Sequence, residues 1–347
     1  MTIDHKKIEC SGIWKVFGPE PDKIFRGDLS KLDRAEIQKT TGHVIGVNDA
    51  SFEISEGETF VVMGLSGSGK STLVRCISRL IEPTRGEVLV DGQSLIDMSS
   101  AELREFRRHK ISMVFQHFGL FPHRTLTENV AYGLEIRGVG RADRTKKAHE
   151  TLDLVGLNGW FDHFPRELSG GMQQRVGLAR ALAVDPEIMV FDEPFSALDP
   201  LIRREMQDEV KLLQNVLKKT MVFITHDFLE AIKMGDHIAI MKDGEIVQIG
   251  TPEEIVANPI NDYVRDFAEE VPRYRVLSAG KVMREKVSAE AQALFDNSDL
   301  VKATDKLETL IDRMIHSDAA LPVVDDSGQL AGEIDRSIVM NAMRSEV

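Results

Sequence analysis

Gly64, Leu65, Ser66, Gly67, Ser68, Gly69, Lys70, Ser71 and Thr72 follow one another in the pattern G-x-x-x-x-G-K-[ST]. Each residue type answers a need of phosphate chemistry. The glycines let the backbone turn tightly and aim N–H groups at phosphate oxygens. Lys70 has the reach for the β- and γ-phosphates of ATP, and the Ser71 hydroxyl suits Mg2+. The bland alternative is a glycine-rich turn with a chance lysine. Against it stand the apolar run Thr59–Met63 before the loop and the helix-forming Leu73–Ile77 after it. Strand, loop and helix are the context the motif requires, and the helix start adds its positive dipole end.

Four further polar residues each close an apolar, strand-like run. Asp192 and Glu193 follow Ile188–Phe191, Gln116 follows Ile111–Phe115, and His226 follows Met221–Thr225. ATP hydrolysis needs charge stabilisation at the γ-phosphate and an oriented water. Asp192 is placed to hold Mg2+. Glu193, projecting differently from a strand whose side chains alternate, can orient or deprotonate the water. Gln116 can bind Mg2+ or that water, and His226 can reach the γ-phosphate. Taken singly, a histidine after an apolar strand is more often structural. Four such residues at the ends of successive strands make a far stronger pattern.

Leu168-Ser169-Gly170-Gly171-Met172 opens another helix. Ser169 with Gly170 and Gly171 at a helix N-terminus offers bare amides and a favourable dipole, a second anion site. The alternative is a plain serine cap. A chain that already has its own P-loop has use for a second phosphate site if that site serves a neighbour. A head-to-tail dimer with two sandwiched ATPs is the implied geometry. Phe17, just before the turn Gly18-Pro19, can stack on an adenine ring or close the strand end as a core aromatic.

Strands alternate with helices, so the expected fold class is α/β: a P-loop NTPase domain with a parallel-sheet core, over residues 1–270. In such sheets ligands bind beyond the carboxyl ends of the strands, where these polar residues fall. Residues 18–43 interrupt the pattern with Pro19, Pro21, charges and a helical stretch from Leu29 to Lys39; this insertion reads as a solvated excursion or as a contact with a partner subunit. Residues 127–184 read as an inserted helical subdomain. After Pro272 the rhythm restarts, and residues 277–345 form a small α+β unit, with Leu321–Asp325 and Leu330–Ile334 as strands around the turn Asp326-Ser327-Gly328.

At 347 residues the chain has length for two or three domains. A net charge of −13 argues against a duplex-binding surface, so no nucleic-acid partner is expected. No apolar run approaches the roughly 18 residues of a membrane span. The start Met1–Lys6 lacks the apolar core of a signal peptide, and Cys10 and Cys76 alone form no disulfide framework; a reducing cytosol is the expected setting.

Together, Gly64–Ser71, Gln116, Leu168–Met172, Asp192-Glu193, Ser196-Ala197-Leu198-Asp199 and His226 resemble the nucleotide-binding subunit of an ABC transporter over about residues 8–255. The resemblance implies ATPase activity with ATP and Mg2+, Phe17 as the adenine-stacking aromatic, and Asp199 in the loop that couples the two ATP sites. Met172 stands where many members carry glutamine, past the phosphate-binding amides. The insertion, Arg79–Gly86, Phe121-Pro122-His123 and the C-terminal unit narrow the resemblance to the glycine betaine/L-proline ATP-binding proteins, which energise bacterial importers of quaternary amines. That family implies a second copy of the ATPase, transmembrane permease subunits whose coupling helix is received by His117–Tyr132 of this chain, a substrate-binding protein, and a peripheral place on the cytoplasmic face of the plasma membrane. The C-terminal unit resembles a single CBS domain through Leu321–Asp325, although Asp335 and Ile338 stand where that family keeps its ribose-binding Ser/Thr and Asp. A small-molecule kinase is disfavoured by Ser169-Gly170-Gly171 and the Asp192-Glu193 pair. Translation and repair ABC ATPases are disfavoured by the single cassette, while an importer subunit for an amino acid or polyamine stays open.

Overall fold

The computed structural model describes residues 5–26, 33–116, 118–295, 300–316 and 319–344. Chain contacts divide it into two compact units, Met1–Ile249 and Gly250–Val347.

The first unit carries strands β1 (Lys6–Phe17), β2 (Val44–Ser55), β3 (Thr59–Met63), β4 (Arg85–Val90), β5 (Gln93–Ser94), β6 (Ile111–Phe115), β7 (Ile188–Asp192), β8 (Thr220–Thr225), β9 (His237–Lys242) and β10 (Glu245–Gly250). Its helices are α1 (Arg34–Thr41), α2 (Lys70–Ile77), α3 (Ser100–His109), α4 (Leu126–Ile136), α5 (Arg141–Leu154), α6 (Gly170–Ala183), α7 (Pro200–Leu217) and α8 (Phe228–Met234). Six strands form one sheet in the order β10-β9-β3-β8-β7-β6. Within it β9, β3, β8, β7 and β6 run parallel. β3, β7 and β8 are buried along their whole length, which is why they read as unbroken apolar runs rather than alternating ones. Phe191 of β7 and Phe223 of β8 stack with centroids 4.1 Å apart.

The expected fold class named one parallel-sheet core and gave the β-rich N-terminal segments no sheet of their own. The structure instead gathers them into a second, antiparallel sheet ordered β2-β1-β4-β5. One continuous core joins the two sheets through Ile8, Phe52, Phe60, Leu73, Val190 and Val222. Phe52 and Phe60 stack at 5.0 Å across them.

The expected helix in the insertion began at Leu29, and residues 27–32 lie outside the described ones; α1 covers Arg34–Thr41 with Asp33 and Glu36 in a capping box. The insertion is anchored rather than wholly solvated: Ile24 and Ile37 are buried in a small cluster with Val16 and Ile45. α4, α5 and α6 pack on one another over the span expected for the helical subdomain. His117, at the start of the expected permease-contact segment, is likewise outside the described residues.

The second unit holds α9 (Pro252–Ala257), α10 (Asp262–Glu269), α11 (Ala279–Val282), α12 (Ala289–Phe295), α13 (Leu307–His316) and α14 (Arg336–Arg344) around strands β11 (Val301–Lys302), β12 (Leu321–Val324) and β13 (Leu330–Ile334). β12 pairs parallel with β11 and antiparallel with β13. The boundary falls ahead of the expected 270 because α9 is bonded into the second unit: the Ser278 amide donates to a Glu253 carboxylate oxygen.

Candidate nucleotide site

Strand register brings the candidate residues to one edge. Met63 pairs with Thr225 of β8 and Ile240 of β9, and Asp192 pairs with Ile224 of β8 and Phe115 of β6. Gly64, Glu193, His226 and Gln116 each come directly after one of these strand ends. Residues spread from Gly64 to His226 thereby share the C-terminal edge of a single parallel sheet.

The loop from Gly64 to Gly69 is built where side chains would not fit. Gly64 has φ 150°, and a Cβ there would lie 2.2 Å from the Met241 carbonyl oxygen. Gly69 has φ 107°, and a Cβ there would lie 2.2 Å from the Gly46 carbonyl oxygen. Leu65 and Ser66 are exposed, whereas Ser68 is buried. Lys70 is 5% exposed, and its Nζ donates to the carbonyls of Gly64 at 2.8 Å and Leu65 at 3.0 Å. The ammonium thus lies folded across the loop that would hold phosphate. Burial lowers its pKa, opposed by the negative charges of Glu193 and Asp192.

Ser71 Oγ donates to Asp192 Oδ1 at 3.1 Å, and Arg75 Nη2 lies 3.5 Å from Asp192 Oδ2. A hydroxyl and a carboxylate oxygen side by side at the loop mouth are the hard oxygen donors that Mg2+ takes. Glu193 does not reach its position by strand alternation, as the sequence reading had it. β7 ends at Asp192, and Glu193 adopts a left-handed backbone with φ 46° while its N–H donates to the Ile224 carbonyl. Its Oε2 is 3.2 Å from His226 Nδ1. His226, expected to face a γ-phosphate, here pairs with the carboxylate. Gln116 is half-buried one residue beyond Phe115.

Phe17 is 40% exposed and lies beside the loop's helix. A Cβ on Gly46 would stand 2.7 Å from Phe17 Cε2 and 3.0 Å from Thr72 Cγ2. The Phe17 ring is thus exposed beside Thr72 rather than enclosed in the core. Gly46 was missed from sequence, although a lone glycine inside an alternating strand is a signal of close approach.

Ser169 caps α6 by accepting from the Met172 N–H at 3.4 Å. Gly171 has a second reason to be glycine: a Cβ there would lie 2.5 Å from Ile202 Cγ2. Asp199 caps α7, its Oδ1 accepting from the Ile202 N–H at 3.2 Å. These two loops are therefore packed together through Ile202. Glu230, also missed, is buried in the first turn of α8 just after His226. Burial and the Asp227 charge push its pKa up to about 8. The side-chain amide of Gln207 donates to it at 3.4 Å.

The family model described as ABC transporter matches residues 47–196. The glycine betaine transport ATP-binding protein OpuAA of Bacillus subtilis is 52% identical over 330 residues, covering 92% of this chain and 79% of the relative. The trimethylamine N-oxide transport system ATP-binding protein TmoW of Pelagibacter ubique is 48% identical over 338 residues, covering 97% of each. Among solved structures, the dimeric ATP-binding cassette MJ0796 in a post-hydrolysis state with ADP and Pi is 33% identical, with a TM-score of 0.60 over 71% of this chain and 98% of that one.

Proposed function

We infer the function of this chain from the family to which it belongs, the ABC transporter ATP-binding proteins of the glycine betaine type. It is the ATP-hydrolysing subunit of an importer of quaternary amines such as glycine betaine, proline betaine or choline. It works as a pair of copies on the cytoplasmic face of the membrane, beneath separate permease subunits that a substrate-binding protein loads. Among the described residues no helix is long and apolar enough to cross a membrane.

The observation that carries the reading is the convergence of Lys70, Ser71, Asp192, Glu193 and His226 at one sheet edge. Phe17 stacks on adenine. Lys70 leaves the carbonyls of Gly64 and Leu65 to meet the β- and γ-phosphates. Ser71 and Asp192, with Gln116, would hold Mg2+, which would supply charge neutralisation at the phosphates. Glu193 takes a proton from the attacking water, and His226 holds the Glu193 carboxylate in place until nucleotide draws it to the γ-phosphate. Ser169, Gly170, Gly171 and Asp199 serve the nucleotide of the partner copy.

The solute does not touch this chain, and one observation favours a second cargo. The trimethylamine N-oxide relative matches this chain over 97% of both lengths. Both cargo classes place a quaternary or oxidised amine before the binding protein. The C-terminal unit is proposed as a CBS-like regulatory module that pairs across the dimer. Asp335 supports its divergence, since its Oδ1 caps α14 by accepting from the Ile338 N–H at 2.8 Å instead of leaving a hydroxyl free for ribose. The test is ATPase activity of the complete transporter in liposomes, with the binding protein loaded in turn with glycine betaine, choline, proline betaine or trimethylamine N-oxide. Stimulation by one of them identifies the cargo. Stimulation by none of them, with a polyamine or an amino acid loaded in parallel giving stimulation instead, rejects the quaternary-amine assignment.

A further inference from the structure

The insertion reaches the phosphate loop. Arg34, the first residue of α1, donates from Nη1 to the Gly67 carbonyl at 3.1 Å. The same nitrogen lies 3.7 Å from Asp243 Oδ1, in the turn between β9 and β10. That turn grips the next carbonyl: the Gly244 N–H donates to Ser68 O at 2.9 Å, while Gly244 O accepts from the Asn48 N–H at 2.8 Å. Two outward-facing carbonyls, Gly67 and Ser68, are thus each held by a donor from outside the loop.

A trans peptide holds its C=O and the following N–H in opposite directions. Fixing the Gly67 carbonyl outward turns the Ser68 N–H inward, where it meets Leu65 O at 3.2 Å. Fixing the Ser68 carbonyl outward turns the Gly69 N–H inward as well. Gly67 needs the hold most: φ is 81° and nothing lies within 4 Å of where its Cβ would be, so no packing restrains it. We propose that Arg34 is a positioning residue of the nucleotide site, and that α1 serves to brace the tip of the phosphate loop in its turned conformation. This role rests on the ATP-binding reading above. It gives α1 a role at the chain's own active site.

The guanidinium acts through the Gly67 carbonyl, so its loss is expected to weaken binding and spare turnover. The experiment titrates the full-length chain with ATP and Mg2+ for wild type, Arg34→Ala and Arg34→Lys, and measures KM and kcat for each in the assembled transporter. Arg34→Ala is expected to weaken ATP binding and raise KM ~5-fold, the size of one part-exposed charge-assisted hydrogen bond, with kcat nearly unchanged. Arg34→Lys keeps a donor and recovers most of that loss. Thermal midpoints without nucleotide stay close to wild type for both. The proposal is overturned if Arg34→Ala binds ATP as tightly as wild type. It is also overturned if both variants lose affinity equally together with a fall in thermal midpoint, which would make Arg34 a structural residue only. Failure of the wild-type chain to bind ATP would instead overturn the parent reading.

Discussion

The P-loop edge and the Ser169–Asp199 region carry the same kinds of residue in opposite states. At the P-loop edge the functional groups already face one another: Ser71 on Asp192, Glu193 on His226, Lys70 across its own loop. At the second region each polar group is spent on its own helix, Ser169 on the Met172 amide and Asp199 on the Ile202 amide. The first arrangement supports the proposed half-site for the chain's own nucleotide. The second holds a pair of helix starts in register through Gly171 and Ile202, with the inner chemistry satisfied and the N-terminal amides of α6 facing away from the helix. A chain so divided makes sense when completed by a second copy of itself.

The largest effect should come from breaking the prepared half. Glu193→Gln keeps the shape and removes the base, so hydrolysis should fall at least ~100-fold while ATP binding persists and a closed dimer accumulates on size-exclusion chromatography. Hydrolysis at the wild-type rate would show that another group takes the proton. Next in size, Phe17→Ala removes an exposed ring worth about 1–3 kcal/mol when a base stacks on it, so ATP affinity should drop ~10-fold by titration calorimetry. An unchanged affinity would return Phe17 to a structural role.

The smallest effect concerns stability rather than turnover. Glu230 is protonated in the folded chain up to about pH 8, against an ordinary 4.5. Between those values the unfolded chain loses the proton and the folded one keeps it, so this group's support for folding is full below about 4.5 and is lost as pH rises through about 8. Glu230→Gln keeps the neutral shape and should raise the thermal midpoint by more at pH 8 than at pH 5. An equal shift at both values would contradict a buried proton on Glu230.

What sequence made legible was local. The phosphate loop, the strand runs before Asp192 and His226, and the Ser169 cap are all short patterns whose physical requirements sit within a few residues. What escaped was long-range. That Arg34 meets Gly67, that Gly46 must be bare because the Phe17 ring and Thr72 crowd it, and that β1, β2 and β4 leave the main sheet for one of their own all depend on tertiary placement. Glu193 shows a middle case: its role comes from its neighbour Asp192, but its direction comes from a left-handed backbone that no periodicity announces. The unit boundary at Ile249 escaped for the same reason, because α9 resembles any surface helix until Glu253 is seen to bond Ser278.

The central claim is that each ATP is completed by the partner's Ser169 loop. Complementation between two broken chains tests it. Lys70→Ala disables the P-loop and leaves the Ser169 loop whole; Ser169→Arg does the reverse. Each homodimer should be inactive. In an equal mixture, half of the dimers are mixed and each contains one intact composite site, so ATPase should return to about a quarter of the wild-type rate if the sites act independently. A mixture that stays inactive while mixed dimers are recovered, or a Ser169→Arg homodimer that hydrolyses ATP normally, would contradict the account.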